Sequence, residues 1–143
     1  DACPMPPQHP TPEEMRRILS TAKTVAVVGL SDKPERDSFR VAAYLKAHGY
    51  RIIPVNPAIT ATLGERAYAS LGEIPDRVDV VDIFRKPEAV PAIVEDAIRI
   101  GAKAVWMQEG IVHHAAADRA RAAGLAVVMG RCMLKEHRAL AGG

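Results

Sequence analysis

Five short stretches, each following a brief apolar run, hold the side chains that could bind or react. The first is Gly29-Leu30-Ser31-Asp32-Lys33-Pro34-Glu35-Arg36-Asp37-Ser38. Two hydroxyls (Ser31, Ser38) and two cations (Lys33, Arg36) suit an anion, and the amides of a helix starting there would add to them. A solvated loop with Ser38 as a helix cap explains the same residues equally well. A dinucleotide fingerprint needs glycine at the third and sixth places, where Ser31 and Pro34 stand. The second stretch, Val55-Asn56-Pro57, has no acid to hold ribose hydroxyls, which counts further against a nicotinamide nucleotide; a plain turn is the simpler account. The third, Phe84-Arg85-Lys86-Pro87-Glu88-Ala89-Val90, is either an apolar wall flanked by cations or a basic turn into a helix.

The fourth stretch is Gln108-Glu109-Gly110-Ile111-Val112-His113, with Glu109 its one carboxylate. The neighbouring His113 and His114 diverge on a helix and cannot easily share an ion, so no metal site is expected. The fifth is Gly130-Arg131-Cys132-Met133-Leu134-Lys135-Glu136-His137. Cys132 there is a candidate nucleophile, and His137 the partner that such chemistry would require. A small, half-buried side chain near a helix cap is the preferred account. No nucleophile, base and orienting acid stand at a diagnostic spacing, so no catalytic residue is assigned.

The elements that must position these loops follow from periodicity. Thr24–Gly29, Arg51–Asn56, Val78–Phe84, Lys103–Gln108 and Ala126–Met129 are short, nearly continuous apolar runs, the pattern of strands buried on both faces. Between and around them, helices are predicted from a Thr11-Pro12-Glu13-Glu14 start to Thr21, over Ser38–His48, Pro87–Ile100 and His113–Ala123, and over Met133–Leu140. Residues 57–77 form an irregular link, with a short strand or helical turn expected around Ala67–Leu71. This alternation predicts an α/β fold, a Rossmann-like doubly wound parallel sheet of five strands in the order 3-2-1-4-5 with helices on both faces. Its ligands would bind beyond the carboxyl ends of the strands, at the switch point between strands 1 and 4.

Composition narrows the functional classes. A chain of 143 residues with a net charge of +2 is a single domain without the excess charge of a nucleic-acid coat. Aromatic residues are 4%, too few for a base-stacking platform. No apolar run approaches the roughly 20 residues that span a bilayer, and no secretory leader is expected. Two distant cysteines, Cys3 and Cys132, make no disulfide framework, so a cytoplasmic setting is expected. Residues 1–10, with four prolines, read as a flexible N-terminal arm before a single domain over 11–143. The apolar face of the first helix (Met15, Ile18, Leu19) would cap the sheet rather than meet a second copy. No residue points to a particular protein partner.

From about Thr11 to Leu140 the chain resembles the small stand-alone CoA-binding domain proteins, which are similar to the N-terminal CoA-binding domain of the succinyl-CoA synthetase α subunit. The matching segments are VAVVGLSDKPERDSFRVAAYLKAHGYRIIPVNP, YASLGEIPDRVDVVDIFRKPEAV, AVWMQEGI and GRCMLKEH, in the family's order. The resemblance implies a domain that binds coenzyme A. By carry-over, Gly29, Leu30 and Ser31 lie against the phosphates, helped by Lys33, Arg36 and Ser38. Val55, Asn56 and Pro57 flank the nucleotide, and Phe84, Arg85 and Val90 line its other side. Gln108, Glu109, Gly110 and Ile111 face the pantetheine end, with Arg131 and Cys132 beside it. The synthetase loop after strand 1 is richer in glycine than Gly29–Ser38. Its phosphorylated histidine belongs to a second domain, so no residue here inherits that role. The expected function is CoA or acyl-CoA binding without chemistry. The alternatives are an enzyme transforming CoA thiols or acyl-CoA through Cys132, decided by whether Cys132 faces the cleft, and a nicotinamide-nucleotide-binding protein.

Overall fold

The computed structural model describes residues 11–142; the arm expected over 1–10 lies outside them. Helix α1 (Pro12–Thr21) starts as its sequence dictates, with the Thr11 hydroxyl accepting the Glu14 N–H at 3.1 Å and proline in the first turn. Then follow β1 (Thr24–Val28), α2 (Asp37–Ala47) and β2 (Arg51–Val55). The link after β2 holds a small antiparallel hairpin, β3 (Ala61–Thr62) and β4 (Glu65–Arg66), and a 3-10 turn at Leu71–Glu73. Leu63 and Gly64, both at positive φ, close that hairpin. The chain continues through β5 (Val80–Ile83), a 3-10 turn at Pro87–Ala89, α3 (Val90–Arg99), β6 (Ala104–Met107), α4 (His114–Ala122), β7 (Ala126–Val128) and α5 (Met133–Gly142).

Five strands form one parallel sheet with helices on both faces, as the alternation predicts. The order corrects the sequence reading. The sheet runs β2-β1-β5-β6-β7, so the third long strand lies beside the first and not outside the second. In the expected numbering this is 2-1-3-4-5 instead of 3-2-1-4-5. The link over 57–77 has no α-helix to pack as an outer crossover. It carries the chain back past β1, and the winding direction reverses between β1 and β5. The switch point lies there, not between strands 1 and 4.

The two faces divide by strand parity. Ala26, Val28, Ile53, Val55, Val81, Ile83, Val105 and Met107 pack on the side of α3 and α4. Val25, Val27, Ile52, Val80, Ala104 and Trp106 face α1, α2 and α5, with Met15, Ile18 and Leu19 of α1 buried among them as expected. Edge strand β2 contains Pro54, which lacks an N–H to donate. Its outer side is occupied by Tyr68, whose N–H donates to Pro54 O at 3.0 Å and whose carbonyl accepts from Asn56 N at 2.8 Å.

One polar side chain interrupts this core. Asp82 sits in β5 between Val27 and Trp106, is fully buried, and neither of its carboxyl oxygens has a hydrogen-bond partner. Burial pushes its pKa well above the carboxylate range. An unfolded aspartate titrates near 3.9. The stability associated with this proton is therefore complete below about pH 4 and is lost as the pH rises through the folded value. Asp82→Val should stabilise the protein at pH 7 by on the order of 1–3 kcal/mol, with a smaller gain at pH 4, in urea unfolding. Destabilisation at both pH values would refute this account of Asp82.

Candidate functional site

The carboxyl ends of β1 and β5 meet at the switch point, and Gly29 makes that meeting possible. Its φ is +89°, and a Cβ built there would lie 2.5 Å from the Phe84 carbonyl oxygen. The Gly29 N–H donates to Val55 O at 2.8 Å, and Phe84 N–H donates to Val28 O at 2.9 Å, so the loops leaving three adjacent strands are pinned together.

Beyond this junction lie two adjoining cavities that share Asp37 and Phe84. The first, about 480 Å³, is polar and is lined by Gly29, Ser31, Lys33, Arg36 and Ser38, with the carboxylates of Glu35 and Asp37 also on its wall. Ser31 N–H donates to the Ser38 hydroxyl at 3.0 Å, and Lys33 N–H donates to the Ser31 hydroxyl at 3.0 Å. Each hydroxyl therefore keeps its own proton to give. Arg36 is the residue before α2 and supplies no side-chain cap, which leaves the first amides of that helix to a ligand. Ser38 lies inside α2 and is not its cap. Among the described residues, neither Lys33 nor Arg36 is within ion-pair distance of a carboxylate.

The second cavity, about 520 Å³, lies between α2 and α5. Val41, Phe84, Ile111 and Leu134 give it apolar walls, and Gln108 and Cys132 also line it. Charged side chains there are mostly paired: Arg40 with Asp37, and Lys135 with Glu109 at 2.9 Å. The hydrogen bond that Lys135 Nζ donates to Glu109, and that carboxylate's negative charge, raise the Lys135 pKa. Arg138 lies over the Tyr44 ring, 5.7 Å from its centroid. On the opposite face of the sheet, Val55, Pro57 and Arg85 line a smaller, mostly apolar hollow of about 250 Å³ with Leu71 and Ile93.

Thirteen of the eighteen residues singled out in the sequence line these three cavities: Gly29, Ser31, Lys33, Arg36, Ser38, Val55, Pro57, Phe84, Arg85, Gln108, Glu109, Ile111 and Cys132. The other five line none of them. Leu30 and Val90 are wholly buried in the core. Asn56 braces the loops, its Nδ2 donating to Leu30 O at 3.0 Å and its Oδ1 accepting Ala58 N–H at 2.9 Å. Gly110 forms a turn at φ +81°. Arg131 gives its carbonyl to Trp106 Nε1–H at 2.8 Å and points its guanidinium at Glu136. The sequence reading missed Asp37, Val41, Leu134, Lys135 and Arg138 as wall residues. Their signal was helical spacing: 37 and 41, and 134, 135 and 138, each fall on one face of a helix flanking a chosen loop.

His113 and His137 hold structural contacts. His113 caps α4, its Nδ1 accepting Ala116 N–H at 3.1 Å. His137 does not line the cavity with Cys132. Its Nδ1 lies 2.9 Å from the Tyr44 hydroxyl, and its ring packs against Tyr44, His48 and Tyr50 in the seam between α2 and α5. A Cys132–His137 pair is therefore absent. Among the described residues no group of three or more metal-ligating side chains occurs, and no helix is long and apolar enough to cross a membrane.

A doubly wound parallel α/β sheet with a crevice at its switch point sets the fold class, and comparison with known proteins specifies the family. A model of the CoA binding domain matches residues 23–138, and the chain belongs to that family. It is 39% identical over 130 residues to an uncharacterized protein, YneT, of Bacillus subtilis, covering 91% of this chain and 96% of that protein. A solved hypothetical protein from Pyrococcus horikoshii superposes with a TM-score of 0.91 at 44% identity, covering 99% of this chain and all of that one. The ADP-forming acetate–CoA ligase II of Archaeoglobus fulgidus is 34% identical over 89 residues, 61% of this chain but 13% of the ligase.

Two outcomes follow from the geometry. Gly29→Ala should destabilise the fold by about 1–3 kcal/mol and abolish ligand binding, read by thermal unfolding and titration; unchanged behaviour would mean that the junction yields. Burial, and then the neighbouring His48, depress the His137 pKa. The stability it contributes is thus present above the ordinary histidine value, about 6.5, and is lost as the pH falls through the folded value. Melting temperatures between about pH 5 and 7 should fall less steeply for His137→Gln than for the parent; equal slopes would contradict this.

Proposed function

We propose that the chain binds coenzyme A or an acyl-CoA as a module without chemistry of its own. The observation that carries this reading is the pair of adjoining cavities meeting at Phe84. One is polar, with two unpaired cations and free helix amides; the other is largely apolar between two helices. A ligand with phosphates at one end and an uncharged, thiol-ended arm at the other matches both. The Gly29 junction supports the fit, because a side chain there would intrude on the crevice where the loops converge. Family membership and the likeness to part of an acetate–CoA ligase point the same way.

In this reading the phosphates rest on Ser31, Lys33, Arg36 and Ser38. The nucleotide lies toward Val55, Asn56 and Pro57, with Arg85 beside it. The arm extends toward Gln108, Glu109 and Ile111, and its thiol toward Cys132. The chain acts in the cytoplasm, where a free thiol such as Cys132 stays reduced, and its partner is this small molecule and neither nucleic acid nor membrane.

Calorimetric titration of the reduced protein with CoA, NAD and ATP tests the proposal. CoA should bind in preference to the other two, and Lys33→Ala and Arg36→Ala should each weaken it about three- to tenfold. No CoA binding, or equal binding of all three, would overturn the reading.

A further inference from the structure

We propose that the cavity between α2 and α5 captures CoA covalently, as a mixed disulfide on Cys132, with CoA disulfide as the oxidised reactant. The inference rests on the CoA reading above and goes beyond reversible binding.

Two independent features of the cavity support it. Cys132 is 7% exposed, has no disulfide partner among the described residues, and lines the cavity. Burial therefore hides it from general thiol traffic, while the cavity gives a route for a ligand that fits. The second feature is Gln108, 3% exposed and lining the same cavity. Its Oε1 accepts the Met133 N–H at 3.2 Å, which orients the amide, and no acceptor among the described residues takes a hydrogen from its Nε2. Because Asp82 supplies the wholly enclosed unpartnered side-chain polar atoms among the described residues, Gln108 Nε2 stays accessible, and the cavity that Gln108 lines is where a ligand acceptor can take the place of water. The arm of CoA carries two amide carbonyls, which are acceptors of the required kind, and ends in a thiol. The hydrogen bond that orients Gln108 comes from the residue immediately after Cys132. The donor that would hold the arm and the sulfur that would meet its end are thus locked to one another. The apolar walls, Val41, Phe84, Ile111 and Leu134, suit the methylene and methyl groups between them.

The chemistry is thiol–disulfide exchange. The Cys132 thiolate attacks one sulfur of CoA disulfide. The Cys132–S–S–CoA bond forms as the CoA–S–S–CoA bond breaks, and the departing CoA thiolate takes up the proton that Cys132 lost. Cys132 is oxidised and one CoA is reduced, with no other electron donor or acceptor. Two equivalents of an external thiol, or one of a dithiol, reduce the mixed disulfide, releasing Cys132 and CoA as thiols while the external reductant becomes a disulfide. The same pocket then serves as a reversible CoA site in reducing conditions and as a covalent store of CoA when its disulfide accumulates.

The test uses the full chain carrying Cys3→Ser, so that Cys132 is its single thiol. After treatment with CoA disulfide, intact mass should show one CoA adduct, removed by dithiothreitol and absent from a second variant that also carries Cys132→Ser. Formation should be at least about tenfold faster than with glutathione disulfide, which lacks the nucleotide, and excess desulfo-CoA should slow it. Gln108→Ala should slow capture of CoA disulfide about tenfold and narrow its advantage over glutathione disulfide. No adduct, or equal rates for the two disulfides with no effect of desulfo-CoA, would overturn the inference. The competition arm needs no cavity variant, so a folding defect in a Cys132 or Gln108 variant cannot obscure the result. Titration with reduced CoA separates the two proposals: CoA binding without adduct formation sinks only the mixed disulfide, whereas absence of CoA binding removes the reading on which it rests.

Discussion

Backbone meets backbone where β1 and β5 end, at a distance that only a residue without Cβ tolerates. Gly29 turns at positive φ directly under the Phe84 carbonyl, so the chain leaves β1 toward α2 while Phe84 turns toward α3. The closeness of the two strand ends, the crevice between their loops and the placing of the helix amides depend on that contact. The loop over Gly29–Ser38 lacks the further glycines of a dinucleotide fingerprint. It does not bring its whole backbone against a ligand; Ser31 and Ser38 hold the loop by accepting amides and keep their own protons free.

Charge around the crevice is graded by pairing and not by number. A protein of net charge +2 has little long-range field to attract an anion. In the cavity between the helices, Arg40 and Lys135 are neutralised by Asp37 and Glu109. In the polar cavity, Lys33 and Arg36 face solvent without carboxylate partners. Those pairs lie at the exposed surface and add little to stability. Among the described residues they leave Lys33, Arg36 and Glu35 without ion-pair partners in the polar cavity and Arg138 in the other, so cations open to an anion stand at both ends of the groove.

The five buried strands were legible because a parallel strand covered on both faces must be apolar along its whole length, and Thr24–Val28 or Ala104–Met107 can be little else. Helix α1 announced its start through Thr11 and Pro12. The strand order was not legible. It depends on where residues 57–77 carry the chain, and a two-residue hairpin and a 3-10 turn leave no periodic signal. Cavity-lining residues on loops could be found, because loops at strand ends are few and the fold rule points to them. Leu30 and Val90 were misplaced because adjacency in sequence to a cavity residue does not give the side chain's direction, and both turn into the core. Val41, Leu134 and Arg138 were overlooked because their role appears only once α2 and α5 are known to face one another. Asp82 reads in sequence as one more polar residue in a strand, and only the packing exposes its isolation.

The outer side of β2 bears on how copies of this domain can meet. Most open sheets carry an edge that invites another strand to extend the ladder, which is a route to uncontrolled association. Here Pro54 removes one donor from that margin, and Tyr68 uses the Pro54 carbonyl and the Asn56 N–H for itself. The ladder is terminated from within the chain, so at this margin the sheet cannot template its own extension. The irregular link that obscured the topology also acts as a selvedge, closing the β2 margin of the sheet to a strand from a neighbouring copy.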